Sequence, residues 1–276
     1  EHSMKNLRKR LACLLLSALL LIGCLPVTAL AAENGFILVA EAGGKLVIAP
    51  EHVSYTAGQT AAQALSASGH TFTGLDTGMI SAIDGVTGNF TRSDENGNYD
   101  LSVSAASIGY LRFSEDMDSK PSDGLKQLMT AMADYKKKGS DVQAAAKKEY
   151  DTARDLFVGI NSESAKTLAS NLNDAVRNYE NTLTGEHYAV RFTDGSAAYS
   201  DDNYPGVSIT TVNAYGKQWT DDGDGVLELP KGDYTFCVEQ AGLRVEGKIT
   251  VSAAATVSAE LPQSEWLITD AFRVSG

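Results

Sequence analysis

Apolar and polar residues alternate in short runs after residue 33, a period that is typical of β-strands. Between the first two runs, Gly43 and Gly44 supply the positive φ angles of a hairpin turn. Thr60 and Gly69 bracket an alanine-rich stretch, which predicts a short helix with a cap at each end. The predicted strands are residues 36–40, 45–49, 79–83, a pair across the turn at 94–98, and 108–113. This order predicts an α+β domain over residues 33–118, compatible with a β-grasp-like sheet packed on one helix.

The apolar period changes to about 3.6 residues in the next segment, which predicts helices. A first helix carries the apolar stripe Leu125, Leu128, Met129 and Met132. Ser140 and Gln143 have the spacing of a capping box at the start of a second helix. Asn161 or Ser162 caps a third helix, whose apolar face is Ala165, Leu168, Leu172, Ala175, Val176 and Tyr179. Residues 119–185 are therefore predicted to form a three-helix bundle, or a helical hairpin preceded by an arm.

Alternation with period two returns in the last long segment, where turn residues recur every eight to twelve positions or so. The predicted strands are residues 188–192, 207–212, 226–229, 234–238, 243–251 and 256–261. This spacing predicts an all-β, Ig-like sandwich over residues 186–262. The whole sequence is thus expected to be a multi-domain chain, with an α+β domain, a three-helix segment and an Ig-like sandwich in that order.

The start of the chain carries the pattern of a secretory signal peptide. Residues 4–32 hold a basic stretch, an apolar core and the small-x-small cleavage motif Ala29-Leu30-Ala31. Residues 1–3 are interpreted as a cloning remnant. As an alternative, Cys24 lies in a lipobox-like sequence and is lipidated, which anchors the protein to the membrane. Either way the protein is expected to be secreted or at the bacterial cell surface, and residues 263–276 are expected to begin a truncated following region.

Composition excludes several classes of partner. Lys and Arg number 23 against 35 Asp and Glu, and the formal net charge is −12. Such a chain is repelled by nucleic acid, which is excluded as a partner. No segment after residue 32 has the run of about 20 apolar residues that spans a bilayer. Cys237 is the single cysteine there, and the remaining histidines lack zinc-site spacing: His52, His70 and His187.

Three strings in the first segment carry a family resemblance. They are residues 55–65 (Tyr-Thr-Ala-Gly-Gln-Thr-Ala-Ala-Gln-Ala-Leu), 71–74 (Thr-Phe-Thr-Gly) and 80–86 (Ile-Ser-Ala-Ile-Asp-Gly-Val). With these landmarks the segment resembles the bacterial domain of unknown function that is related to the C-terminal domain of transcobalamin. The family's closing aromatic element, Trp-x-x-Tyr-x-Asn-Gly, is not visible here, and this departure weakens any inference of cobalamin binding.

The other two segments resemble modules of surface proteins. Residues 156–162 (Leu-Phe-Val-Gly-Ile-Asn-Ser) and the helix after them weakly resemble a FIVAR-like module. Residues 229–236 (Leu-Pro-Lys-Gly-Asp-Tyr-Thr-Phe) resemble a carboxypeptidase-regulatory-like or Ig-like domain. Together these resemblances imply the N-terminal part of a large modular surface protein of Gram-positive bacteria. Such proteins commonly serve adhesion, glycan contact or display on the cell wall.

Four aromatic residues in the last segment are candidates for glycan contact, because sugars stack on exposed rings. They are Tyr199, Tyr204, Tyr215 and Trp219. The alternative is that they belong to the core of the sandwich, since Tyr215 and Trp219 also fit strand alternation.

Clustered carboxylates mark a second candidate site. Asp221, Asp222 and Asp224 precede a predicted strand, and calcium prefers such oxygen ligands. The EF-hand pattern fails, however, since Thr220 stands at its first position and Lys231 at its last. Asp-Gly pairs also form hairpin turns, so a plain turn is the alternative. No cofactor other than calcium is predicted. Asp84 is predicted to cap a turn.

No nucleophile, metalloprotease or nucleotide-binding motif is present, so a non-catalytic protein is predicted. The first hypothesis is binding or adhesion, with an extracellular glycan, a small ligand or a cell-wall component as the partner. The alternatives are a structural stalk that displays downstream modules, and an accessory region of a large exoenzyme. A binding protein should carry a concave or aromatic patch, whereas a stalk should be evenly polar.

Overall fold

The computed structural model describes residues 34–94, 96–97, 100–115 and 120–262. The predicted signal peptide with Cys24, the remnant at residues 1–3 and the segment 263–276 lie outside the described residues. The described chain is an α+β structure with several β-sheets. Among the described residues, no helix combines the length and the apolar character needed to cross a bilayer.

The strands and helices follow one another in three stretches. The strands are β1 (Gly35–Ala42), β2 (Lys45–Ser54), β3 (Phe72–Thr73), β4 (Ala82–Ile83), β5 (Val86–Thr87), β6 (Thr91–Asp94), β7 (Tyr110–Ser114), β8 (His187–Thr193), β9 (Ser208–Asn213), β10 (Gln218–Thr220), β11 (Val226–Pro230), β12 (Gly232–Gln240), β13 (Leu243–Val251) and β14 (Ala255–Ser258). The helices are α1 (Ala61–Ser66), α2 (Asp123–Lys136), α3 (Ser140–Asp155) and α4 (Ser162–Thr184).

The first sheet has the strand order β2-β1-β7-β6. Its hairpin β1–β2 is confirmed as predicted, with Gly43 and Gly44 at φ angles of 56° and 72°. L-residues with a Cβ rarely adopt such angles, which explains the glycines. Strand β1 also pairs in parallel with β7, and β7 pairs antiparallel with β6. A small second sheet, β3-β4-β5, lies within the connection between α1 and β6.

Strand β1 is buried on both faces of its sheet. Phe36 and Leu38 belong to a core with α1, whereas Ile37 and Val39 belong to a core formed by the helices. Successive side chains of a strand point to opposite faces, so the sheet lies between these two cores. The segment predicted as a helical spacer therefore covers one face of the first sheet.

The three long helices form where the 3.6-residue period predicts them. The predicted stripe of α2 is buried, with Leu128, Met129 and Met132 fully enclosed. Asn161 caps α4, as one of the two predicted candidates, because its side-chain oxygen accepts from the Ser164 N–H (2.9 Å).

The capping box predicted at Ser140 and Gln143 is wrong. Gly139 is the N-cap of α3 and Ser140 already lies in the helix, without a side-chain cap. Gln143 instead donates from its amide nitrogen to the carbonyl oxygens of Lys136 (3.1 Å) and Lys138 (2.8 Å). These carbonyls belong to the last residue of α2 and to the turn just after it, where no intrahelical partner remains for them. The side chain with the capping-box spacing therefore satisfies the preceding helix.

Strands β8 to β14 form two sheets, ordered β10-β9-β12-β13 and β11-β8-β14. Their inward side chains share one core, and Phe192 of β8 meets Phe236 of β12 with ring centroids 5.4 Å apart. All six predicted strands are present here. Strand β10 was not predicted, because only Trp219 of its three residues is apolar.

Two local predictions in the first segment need correction. Helix α1 ends at Ser66, before the expected Gly69, because the Ala67 N–H already bonds back to the carbonyls of Ala64 and Leu65. The turn near Asn96 does not join two paired strands, since β6 pairs with β7. Asp100 accepts from the Ser102 N–H (2.8 Å), and Ser104 caps a 3₁₀ turn at Ala105–Ser107. Such local side-chain bonds compete with strand pairing.

Candidate ligand-binding cleft

Strands β8 to β14 and their connections are called the β part here. Tyr199, predicted as a sugar contact, lies in the core shared by its two sheets. It is 1% exposed, and its hydroxyl donates to the carbonyl oxygen of Ala259 (2.5 Å). A sugar stacks on an open ring face, and Tyr199 offers none. The surface position expected for Tyr199 is therefore corrected to a core position.

Tyr204 is half-buried and packs on Tyr199, with ring centroids 4.8 Å apart. Its hydroxyl donates to the carboxylate of Asp194, which raises the pKa of Tyr204 to about 12. The pKa of Asp194 is lowered by the Ala197 N–H and this phenol, with the Ser196 N–H adding to the effect. These contacts fasten the loop between β8 and β9, so Tyr204 serves the structure of that loop.

Trp219 is half-buried and stands in register with Thr211 on the neighbouring strand β9. Its ring meets Tyr234 edge to face, with centroids 5.4 Å apart and planes at 81°. The position fits the core alternative, and Trp219 supports the ring of Tyr234 from one side.

Tyr215 is the predicted aromatic residue that the structure leaves open. It is 43% exposed and lies in the turn between β9 and β10. The side-chain oxygen of Asn213 holds this turn, accepting from the N–H groups of Tyr215 (2.9 Å) and Lys217 (3.0 Å). The ring of Tyr215 meets Tyr179 of α4, with centroids 5.0 Å apart and planes at 75°. An exposed ring is thus held in a defined place beside the helices.

A cleft of about 500 Å³ opens between the helices and the β part at this position. Its aromatic lining is Tyr179, Tyr215 and Tyr234, of which Tyr215 is the exposed member. Polar lining residues from the helices are Glu149, Asn178 and Thr182, and those from the β part are Asn213, Lys231 and Asp233. The volume falls within the range of about 300–1,000 Å³ that is common for ligand sites.

The aromatic walls of the cleft are fixed by hydrogen bonds. The hydroxyl of Tyr179 donates to Asp141 (3.2 Å) and accepts from the side-chain N–H of Asn213 (2.9 Å). The hydroxyl of Tyr234 donates to the carbonyl oxygen of Pro230 (2.7 Å). Burial raises the pKa of Tyr179 above its usual value and that of Tyr234 to about 12, so both phenols stay neutral at physiological pH. The cleft is therefore largely preformed.

Of the residues that line this cleft, sequence reasoning found Tyr215 and missed the rest, among them Tyr179 and Asn213. Tyr179 was predicted only as part of the apolar face of its helix, and the periodicity gives no sign of its role at the cleft. The one available signal is chemical, because a buried tyrosine at the end of an apolar stripe needs a partner for its hydroxyl.

Charged groups of both signs line the cleft. Glu149 is half-buried, and its side chain makes no hydrogen bond or ion pair with any described residue. Asp233 is exposed, and its carboxylate accepts from the hydroxyl of Thr250 (2.6 Å). Lys231 supplies the opposite charge from the turn between β11 and β12. The carboxylates and amides therefore offer hydrogen-bond acceptors and donors around an aromatic ring.

The acidic loop lies in the connection between β10 and β11. Ligand atoms of Asp221, Asp222 and Asp224 fall within 4.8 Å of one another. The carboxylate of Asp221 already accepts from the N–H groups of Gly223 (3.1 Å), Gly225 (3.2 Å) and Val226 (3.3 Å). Burial and the neighbouring Asp224 raise the pKa of Asp221, although the glycine N–H groups oppose the shift. These bonds are those of a turn, the alternative that the sequence offered for this string.

A separate charged cluster joins two parts of the first segment to a helix of the second. The Nε2 and Nδ1 atoms of His70 lie 2.7 Å from Glu51 and 2.6 Å from Asp84. Glu51 also pairs with Lys136 of α2 (3.0 Å). Asp84 accepts from the Thr71 N–H (2.8 Å), in accord with its prediction as a turn-capping carboxylate. Both ring nitrogens of His70 are thus engaged, and the cluster is a structural clasp between β2, the β4–β5 turn and α2.

Comparison with known proteins finds no match of this chain to a family model, to a curated protein or to a solved structure. The resemblances of the three segments therefore remain predictions, and the cleft is the feature of the molecule that bears on its function.

Proposed function

We propose that this chain is an exported, non-catalytic part of a modular bacterial cell-surface protein, which contacts a glycan or a small molecule through the cleft. The observation that carries the proposal is the exposed ring of Tyr215, held against Tyr179 inside a cleft of about 500 Å³. Of the four aromatic residues predicted for glycan contact, Tyr215 has the open ring that such contact requires.

The chemistry of the lining favours a sugar over an apolar ligand. Sugar rings place C–H groups on aromatic faces and direct hydroxyl groups sideways. Carboxylates and amides such as Glu149, Asn178 and Asp233 line the same cleft and can accept or donate hydrogen bonds. Lys231 adds a donor. A purely apolar ligand would cover the side chain of Glu149, which has no partner among the described residues, at a cost in free energy.

The finer fold assignments belong to the same proposal. The strand order β2-β1-β7-β6 with α1 on one face supports a β-grasp-like domain. The two sheets of residues 186–262, with their common core, support an Ig-like sandwich. The signal-peptide pattern at residues 4–32 supports export, with lipid anchoring through Cys24 as the alternative.

Tyr215→Ala tests the proposal in titrations of the chain with a panel of mono- and oligosaccharides, followed by NMR. We expect binding to weaken by about twofold to tenfold, since an aromatic contact contributes about 0.5–1.5 kcal/mol. Tyr215→Phe is the matched control, because it keeps the ring and should keep the affinity. The proposal fails if no saccharide perturbs the resonances of the cleft residues, or if both variants bind as the wild type does.

A structural stalk is the second candidate, and the contact between Tyr179 and Asn213 favours it. This bond joins the helices to the β part through a buried tyrosine and a half-buried asparagine, as a spacer that transmits position requires. In a stalk, calcium at Asp221, Asp222 and Asp224 would stiffen the loop between β10 and β11. A thermal shift that appears with calcium and disappears in Asp224→Asn, without any saccharide effect, would favour the stalk over the binding protein.

A further inference from the structure

A second groove, called the outer groove, adjoins the cleft on the outer face of the sheet β10-β9-β12-β13. Its volume is about 410 Å³, and it lies over the ends of β9, β12 and β13. The cleft and this outer groove share four lining residues, namely Asn213, Ala214, Asp233 and Tyr234. The two hollows therefore meet at one rim and form a continuous depression that passes from the helices onto the sheet.

Strand register explains which side chains face the outer groove. Phe236 points into the core, so its neighbour Thr235 points outward with Val212 and Lys248, its partners on β9 and β13. Asp233 and Thr250 form the next outward pair, and the hydroxyl of Thr250 donates to the carboxylate. The floor of the outer groove therefore has an apolar part, formed by Val212 and the methyl group of Thr235, and a hydrogen-bonding part, formed by Asp233 and Thr250.

The charges along the depression are mixed in sign. Glu149 and Asp233 stand against Lys231 in the cleft, and Lys248 stands beside Asp233 in the outer groove. The chain as a whole carries a formal net charge of −12, which repels polyanions. A ligand with no net charge suits both this local balance and the overall field.

We infer that the cleft and the outer groove together bind a linear, uncharged oligosaccharide that is several sugar residues long. The inference rests on the proposed function of the cleft and extends it to the length and charge of the ligand. One end of the chain stacks on Tyr215, the middle passes the rim at Asp233, and the other end lies along Thr235. A monosaccharide fills only one of the two hollows and leaves the other to water.

The test is calorimetric titration of the chain with neutral oligosaccharides of increasing length. The probes are chito-, cello- and malto-oligosaccharides from the monosaccharide to the hexasaccharide. In the series that fits, we expect Kd to fall by about tenfold or more as the ligand becomes long enough to reach both hollows, because each added contact contributes free energy.

Thr235→Arg blocks the outer groove from an exposed strand position. We expect this variant to abolish the gain in affinity with chain length, and Thr250→Arg to do the same from the neighbouring strand. Thr256→Arg is the matched control, because Thr256 is an exposed strand residue of the other sheet. Far-UV circular dichroism checks that each variant is folded.

The outcomes separate the two proposals. If saccharides bind in the cleft but Kd is the same for all lengths, or if Thr235→Arg and Thr250→Arg keep the gain, the extended surface is overturned while the cleft stands. If no saccharide of any length binds, both are overturned. Tighter binding of a sulfated oligosaccharide than of its neutral counterpart contradicts the inferred absence of ligand charge.

Discussion

Gln143 and Gly124 connect the helices of the middle segment through the backbone of a neighbouring helix. Gln143 reaches from α3 to the last carbonyls of α2. Gly124 lies in the first turn of α2, where a Cβ would stand 1.9 Å from the carbonyl oxygen of Ser162 in α4. Its own N–H donates to the Ser162 hydroxyl (3.1 Å). Both residues therefore act on helix packing rather than on the helix that contains them.

Replacing Gln143 by alanine should destabilise the protein by about 1–2 kcal/mol, since two carbonyls at the end of α2 lose their donor. Urea unfolding followed by circular dichroism measures the change. Ser140→Ala is the control and should change the free energy of unfolding little, because Ser140 makes no capping bond. A larger loss in Ser140→Ala than in Gln143→Ala would restore the capping box predicted from the sequence.

Gly124→Ala should also destabilise, by about 1–3 kcal/mol, because the added methyl group forces α2 away from Ser162. Helix propensity alone predicts the opposite sign, since alanine is favoured over glycine by about 1 kcal/mol. Thermal and urea unfolding show whether the variant is destabilised by the close contact or stabilised by helix propensity. Asn171→Ala, at an exposed position of α4, should be neutral or stabilising. A stabilised Gly124→Ala variant would show that α2 and α4 are not in close contact there.

At the scale of elements, the sequence predicts well where helices and strands form, and predicts poorly which strands pair with each other. Strands β12 and β13 and helices α2 to α4 carry a clear apolar period, and β1 and β2 carry short apolar runs; both patterns depend on burial alone. Pairing depends on competition with distant or local groups: β6 pairs with β7, and Asp100 and Ser104 engage backbone between the two strands. The cleft could not be predicted for the same reason, since its walls come from separate segments.

The clasp at His70 makes the coupling of three elements depend on pH. Burial acts to lower the pKa of His70, but the hydrogen bonds and charges of Glu51 and Asp84 outweigh it and raise the pKa above the usual 6.5. A raised pKa in the folded protein contributes stability that is complete below about pH 6.5 and is lost as the pH rises through the folded value. The clasp is therefore strongest in mildly acidic solution.

We expect His70→Gln to remove this dependence. The difference in the free energy of unfolding between wild type and His70→Gln should be largest near pH 6 or slightly below, and should shrink as the pH rises toward 9 or so. Urea unfolding across this range measures it. His187→Gln, at an exposed strand residue, should follow the wild type. A difference that stays constant with pH would mean that protonated His70 does not hold the clasp.

At the scale of the whole molecule, one strand serves two cores. Val39 is enclosed by the helical core, and its neighbour Leu38 by the core with α1. The sequence holds a sign of this, because residues 36–40 are an unbroken apolar run, as expected for a strand buried on both faces. The predicted boundary between residues 118 and 119 follows the change of period, which is blind to the packing of one segment on the other.

Val39→Ala should therefore weaken elements on both sides of the sheet. We expect the free energy of unfolding to fall by about 2 kcal/mol or more, since the Val39 side chain is fully buried. Hydrogen exchange should quicken in α1 as well as in α2 and α4, because they depend on the same strand. Val190→Ala is the control in the β part and should leave α1 unaffected. Faster exchange in the helices alone would instead support two separate domains.

The parallel pairs β1–β7 and β8–β14 have a mechanical consequence. In the first segment β1 is hydrogen-bonded to β7, the last strand there, and in the β part β8 is hydrogen-bonded to β14, the last strand of that part. The two strands of each pair run in the same direction. A pull on the chain at the start of the first strand and at the end of the last one slides the two past each other. All the bonds of the pair must then break together, whereas a hairpin pulled at its open end loses them one by one. Each pair of strands should therefore hold to high force before it separates, and single-molecule pulling measures that force.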